Sequence, residues 1–208
     1  MRTNQELINE MISQGVLQTP RIIDAFKVID RKYFVPQEFA DLTYIDRPLP
    51  IGKNQTISQP STVAFMLEQL QVKEGDKVLD IGSGSAWTTS LLCYLVGEKG
   101  SVTGLERVDE LVIIGQKNLS QFHFGKHCKI QKANETLGIS GERFDKILVS
   151  ASASKIPEEL FAQLKINATL LIPIKNSIFK FTKTNETEID AQEFPGFVFV
   201  PLIVDEQK

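Results

Sequence analysis

The sequence predicts an α/β fold, a doubly wound and mostly parallel sheet finished by an antiparallel edge hairpin. Three observations carry that prediction. Short β-rich runs alternate with helical periods from residue 61 to residue 174, the pattern of a parallel sheet covered on both faces. The glycine-bearing run DIGSGSAW (80–87) falls between a strand and a helix, where such folds turn the chain over a ligand. Beyond 174 no helical period separates the remaining strand-like runs, so they pair antiparallel.

Residues 7–17 and 20–30 carry apolar positions at helical spacing, Leu7, Ile8, Met11 and Ile12 in the first and Ile22, Ile23, Phe26 and Ile29 in the second. Thr19 before Pro20 reads as a helix start, because proline suits the first helical position and a hydroxyl can cap it. Residues 31–58 hold Pro36, Pro48 and Pro50, whose fixed φ and missing donors predict a long irregular connection. Tyr33, Phe34, Phe39 and Tyr44 are its aromatic anchors. A helix follows over 61–71, then a buried strand KVLDIG (77–82), a leucine-rich helix 86–96 and a strand SVTGLE (101–106). Asp109 is expected to cap a helix reaching about Phe122. Strands are expected at CKIQKA (128–133), FDKILVSA (144–151) and TLLIPI (169–174), with a helix from Pro157 to Leu164. IFKFTK (178–183) and FVFVPLIV (197–204) should form the edge hairpin across a solvated loop, NETEIDAQE. Lys175, Lys180 and Lys183 read as a solvated strand face. The whole is expected to be one domain, 1–208.

Composition removes several classes of function. The chain has 208 residues, 42% hydrophobic and 24% charged, enough to bury a core without a metal or disulfide staple. Lys and Arg number 23 against 26 Asp and Glu, a net charge of -3, so no basic surface predicts nucleic acid or anionic membrane as partner. His123 and His127 flank Gly125 with no cysteine or carboxylate cluster, which predicts no metal site. Cys93 and Cys128 read as small buried hydrophobes of a reducing compartment. The polar opening MRTNQELINEMISQ and the lack of a membrane-length apolar run complete the expectation of a cytoplasmic protein. Nothing in the sequence indicates an oligomeric state.

The chemistry starts at Asp80–Trp87. Gly82 and Gly84 let the backbone approach a ligand, and the following helix offers unpaired N–H groups. Trp87 stands where a dinucleotide fingerprint needs its third glycine. What remains is the G-x-G-x-G spacing of S-adenosylmethionine sites, with Ala86 in the last position. Glu106 ends the next strand, 24 residues beyond Gly82, where doubly wound folds set a carboxylate on ribose hydroxyls. The plain alternative is a tight turn and a solvated strand end; the two motifs together favour the cofactor.

Upstream lies PLPIGKNQTISQPS (48–61). With RKYFVP, VLDIGSGSAW, NETLG, FDKILVSASASKIPEEL, LLIPI and FVFVPL, this loop resembles the protein-L-isoaspartate O-methyltransferase family over nearly the whole chain. The resemblance implies a Rossmann-like, S-adenosyl-L-methionine-dependent methyltransferase fold. It implies methyl transfer to the free carboxylate of isoaspartyl residues in damaged proteins or peptides. The ester then closes to a succinimide, and hydrolysis partly restores aspartate. Ser58 matches the family's catalytic hydroxyl, with Gln55, Thr56 and Ile57 on the substrate and residues 1–58 a substrate-side extension. Asp80, Gly82, Ser83, Gly84, Ser85, Glu106, Asn134 and Glu135 fall at cofactor-binding positions.

Some positions depart from that pattern. Where the family reads G-D-G-x-x-G, this chain has Ala133–Gly138, with Asn134 in the aspartate position and Glu135 in place of a glycine. Asn167-Ala168 replaces a glycine pair. With Ala86, these changes predict weakened cofactor affinity. They keep open a weakly active or non-catalytic homologue and a methyltransferase for another acceptor. Two residues carry paired readings. Ser58 either faces the acceptor or caps the helix that follows; Trp87 either stacks on a ligand or fills the core.

Overall fold

The computed structural model describes residues 2–203. Helices α1 (Asn4–Ser13), α2 (Pro20–Val28), α3 (Pro60–Leu70), α4 (Trp87–Val96) and α5 (Asp109–Ser120) accompany nine strands. Strands β1 (Leu49–Gly52) and β2 (Gln55–Ile57) make a small antiparallel hairpin inside the segment expected to be irregular. The main sheet comprises β3 (Lys77–Ile81), β4 (Ser101–Glu106), β5 (Cys128–Lys132), β6 (Phe144–Val149), β7 (Leu164–Ile174), β8 (Ser177–Lys183) and β9 (Ile189–Pro195). Its order is β5-β4-β3-β6-β7-β8-β9, parallel from β5 to β7 and antiparallel thereafter.

Side-chain alternation decides which element covers which face. Val78, Val102, Leu148 and Leu171 point into the cluster built with α1 to α5. Leu79, Ile81, Leu105, Ile147 and Leu170 point the other way, against Leu137, Leu160 and Leu164. That second face is covered by a 3-10 helix over Glu158–Gln163, where a helix was expected, and by the loop after β5. The chain leaves β3 toward β4 on one side and returns to β6 on the other, so the carboxyl end of β3 is the topological switch point. Ligands of open α/β sheets bind in that crevice.

Several expectations are corrected here. The edge hairpin pairs β8 with Ile189–Pro195, drawn from the stretch expected to be a solvated loop. FVFVPLIV instead leaves the sheet: Ser152 N–H donates to Val200 O at 2.8 Å and Leu202 N–H to Ser152 O at 2.8 Å. Its last residue, Val204, lies outside the described residues. Lys183 is buried, its Nζ 2.8 Å from Glu186, and is no part of a solvated face. Val108, not Asp109, is the N-cap of α5. The Thr19 hydroxyl donates to Glu68 at 2.6 Å and caps nothing in α2. Cys93 on α4 is joined to Cys128 on β5 in a disulfide, Cα atoms 6.0 Å apart; the two are not separate apolar thiols, and the cysteine argument for a reducing compartment falls with that reading.

The irregular segment is anchored by its aromatics. Phe34 stacks on Phe122 with centroids 5.6 Å apart, and Tyr33 meets the same ring edge-on. Tyr44 Oη donates to Asp30 at 2.9 Å, and burial beside that carboxylate pushes its phenol well above the usual range. At the centre is Arg31, the first residue of RKYFVP and a fully buried guanidinium.

Candidate active site

The turn after β3 is built by backbone conformation. Gly82 has φ 85° and its N–H donates to Leu105 O at 2.8 Å, tying the turn to β4. Such a φ is open to glycine at no steric cost. Gly84 N–H donates to Glu106 Oε2 at 2.9 Å, and Val108 N–H donates to Oε1 at 2.9 Å. The Glu106 carboxylate therefore clamps the glycine turn to the loop entering α5. It is no solvated strand end, since it is only 7% exposed. Each carboxylate oxygen has further acceptor capacity beyond the N–H it already takes.

Above the switch point lies an open cleft of about 890 Å³, solvent-facing mouth included. Gln55, Thr56, Gly82, Gly84, Glu106, Asn134 and Glu135 all line it. A small adjoining recess shares Thr56, Gly82, Gly84 and Ser150 with the cleft and adds Ile57, Ser58, Ser83 and Ser85. Eleven of the twelve residues singled out in the sequence thus converge on one place, although they come from four separate segments. The twelfth, Asp80, lines neither space. Its side chain is fully buried beneath α4, where Thr89 Oγ1 donates to Oδ2 at 2.6 Å and Oδ1 has no partner. Burial, with Glu106 adding repulsion and the Thr89 bond opposing, pushes its carboxyl up to about 7.

Ser58 precedes α3, and the structure decides against the capping reading. Asp46 caps the helix instead, since Ser61 N–H donates to its Oδ1 at 2.8 Å and Gln59 Nε2 to its Oδ2 at 3.0 Å. Ser58 O accepts from Arg31 Nη2 at 3.0 Å. The Ser58 hydroxyl makes no hydrogen bond among the described residues and lines the recess. Trp87 is only 2% exposed, donates through Nε1 to Ile29 O at 3.2 Å and meets Phe26 edge-on at 5.6 Å. Its core role is therefore the dominant one, although the ring borders the recess.

Three parts of the site are not evident from the sequence. Ser150, directly after β6, borders both spaces; its place beside the switch point was the available signal. Val200–Ile203 wall the cleft, a role hidden because their apolar run reads as a strand. Gln163 is buried and pins the loop after Glu135: Oε1 accepts from Ile139 N–H at 2.8 Å and Nε2 donates to Leu137 O at 2.9 Å.

The family model of protein-L-isoaspartate(D-aspartate) O-methyltransferase matches residues 2–207. The chain belongs to this family. A protein-L-isoaspartate O-methyltransferase of Methanopyrus kandleri is 35% identical over 99% of this chain and 93% of its own length. One from Flavobacterium psychrophilum is 39% identical over 97% and 96%. A Plasmodium falciparum member of the same description, solved in complex with S-adenosyl-L-homocysteine, superimposes with a TM-score of 0.89. That match has 27% identity and covers 99% of this chain and 100% of the other.

Within this chain the departures from the family pattern differ in reach. Asn134 and Glu135 face the cleft. Ala86 does not line it; as N-cap of α4 with φ 78° it accepts a left-handed backbone. Its fully buried methyl group offsets part of the ~1–2 kcal/mol that such a conformation costs. Asn167 and Ala168 lie at the amino end of β7, since the neighbouring Thr169 pairs with Lys146 near the start of β6. That is the end of the sheet remote from the cleft. Asn167 supplies the positive φ, 65°, that a glycine would have supplied, and asparagine tolerates it. Neither change can touch a ligand in the cleft.

Proposed function

We propose that this protein transfers a methyl group from S-adenosyl-L-methionine to the free carboxylate of L-isoaspartyl residues in damaged proteins and peptides. The observation that carries the reading is the recess in which the Ser58 loop meets the glycine turn, continuous with a cleft that has Glu106 beyond the turn. The residues fit the cofactor. Ser83 Oγ is buried without a partner at the turn, the Glu106 oxygens retain acceptor capacity, and Asn134 offers an amide oxygen to an exocyclic amine. Ser83, Ser85 and the turn would hold the methionine end, Glu106 the ribose, and Asn134 with Glu135 the adenine side.

The cofactor supplies an electrophilic methyl group on a sulfonium. The acceptor carboxylate is already ionised at neutral pH, so the protein needs no strong base. Its contribution is orientation and exclusion of water. The Ser58 hydroxyl donates to one carboxylate oxygen and leaves the other aimed across the recess, while Thr56, Ile57 and the Val200–Ile203 wall shelter the pair. Residues 2–58 form the acceptor side of a single methyltransferase domain. No helix among the described residues is long and apolar enough to cross a membrane.

Ser58→Ala tests the assignment. Loss of a hydrogen bond to a charged acceptor is worth ~1.5–3 kcal/mol, so kcat/KM on an isoaspartyl peptide should fall at least ~10-fold. Cofactor affinity and melting temperature should hold, because the hydroxyl bonds nothing in the folded chain. Ser58→Thr should stay equally stable and turn over slowly, its added methyl crowding the recess. Full turnover by the alanine variant would remove Ser58 from the reaction.

A further inference from the structure

We infer that Arg31 is the positioning residue of the acceptor loop, holding Ser58 against the cofactor turn by binding the loop's backbone carbonyls while lying on the ring of Trp87. This rests on the reading of Ser58 given above. Nη1 donates to Thr43 O at 2.7 Å and reaches Ile45 O at 3.4 Å. Nη2 donates to Arg47 O and to Ser58 O, each at 3.0 Å. All four acceptors belong to the segment that runs from the 3-10 turns to the edge of the recess. The guanidinium carbon sits 5.3 Å from the centre of the Trp87 ring, and Trp87 opens α4 directly after the glycine turn. One side chain thus touches both halves of the site.

The energetics say that this arrangement is not incidental packing. Arg31 is fully buried, and no carboxylate among the described residues forms an ion pair with it. An unpaired charge in a core is costly, and an apolar side chain would fill the space at lower cost. Burial lowers its pKa to about 10, with Asp46 opposing, so the charge persists at neutral pH. What the charge provides is charge-assisted bonding to several carbonyls at once in a fixed planar fork. Those carbonyls lie in a proline-containing segment with few ladder hydrogen bonds of its own. A lysine ammonium concentrates its donors at one point and cannot span from Thr43 O to Ser58 O.

Arg31→Lys separates positioning from general stability. Turnover of an isoaspartyl peptide should fall at least ~10-fold in kcat, while the dissociation constant for S-adenosyl-L-methionine changes less than ~2-fold. Independently of activity, hydrogen exchange of amides in residues 43–61 should accelerate at least ~10-fold, with those of β3, β4 and β6 unchanged. Exchange that rises uniformly or not at all overturns the inference. Wild-type protein that makes no methyl ester, combined with locally faster exchange in the variant, would reject the functional reading and retain the positioning role. If the lysine variant does not fold, the wild-type guanidinium is read by NMR. Resolved, slowly exchanging Nη protons support the fork, and a single averaged signal contradicts it.

Discussion

Glu106→Ala should raise the dissociation constant for S-adenosyl-L-methionine at least ~10-fold, because a carboxylate that accepts ribose hydroxyls contributes ~1.5–3 kcal/mol. The structure adds a second expected effect. Glu106 also accepts the N–H groups of Gly84 and Val108, so the alanine variant leaves two partly buried donors unpaired. At ~1–3 kcal/mol each, and ~2–4 °C per kcal/mol for a chain of this size, the melting temperature should drop by roughly 4–24 °C. Glu106→Gln should restore only part of it, since the amide oxygen can accept one of the two N–H groups while the amide nitrogen would face the other. Calorimetric titration below the melting transition, with thermal scans, separates the two roles. A lowered melting temperature with unchanged affinity would leave Glu106 as a clamp only.

The second large effect concerns pH. Asp80 is fully buried, with its carboxyl pushed up to about 7, whereas an unfolded aspartate titrates near ~4. Between these values the folded state holds a proton that the unfolded chain has released. Its contribution is therefore fully present below ~4 and is lost as pH rises through 7. Asp80→Asn imitates the protonated form and escapes the loss. Urea unfolding should show the variant gaining on wild type from pH 4 to pH 8, by on the order of 4 kcal/mol if the whole shift is realised. The Thr89 bond survives in the variant, because the amide oxygen can accept it. A gap that does not vary with pH would mean that Asp80 is ionised in the folded state throughout.

The parallel core was legible because short β-rich runs alternate with helical periods along the chain; SVTGLE matches β4 residue for residue. The edge was not. β9 is exposed along most of its length, so no apolar alternation marks it, while the apolar residues Val200–Ile203 lie off the sheet and wall the cleft. The glycine turn and Glu106 were readable from spacing, because backbone conformation imposes it. Asp80 belonged to the same motif yet faces the opposite direction from the cleft, a matter of side-chain alternation on β3. The roles of Arg31, although it opens RKYFVP, and of Gln163 left no local trace. Their partners lie 12–27 residues away for the first and 24–26 for two of the bonds made by the second. The Cys93–Cys128 pair, 35 residues apart, follows no spacing rule.

Methyl transfer to an isoaspartyl carboxylate is tested by a single labelling experiment. The protein is incubated at pH 7 with methyl-labelled S-adenosyl-L-methionine and either an isoaspartyl peptide or the same peptide with an ordinary aspartate. Label is expected in the isoaspartyl peptide alone, released as methanol on mild base because the product is a carboxyl ester. No base-labile label at any protein concentration, or equal label in both peptides, would contradict it.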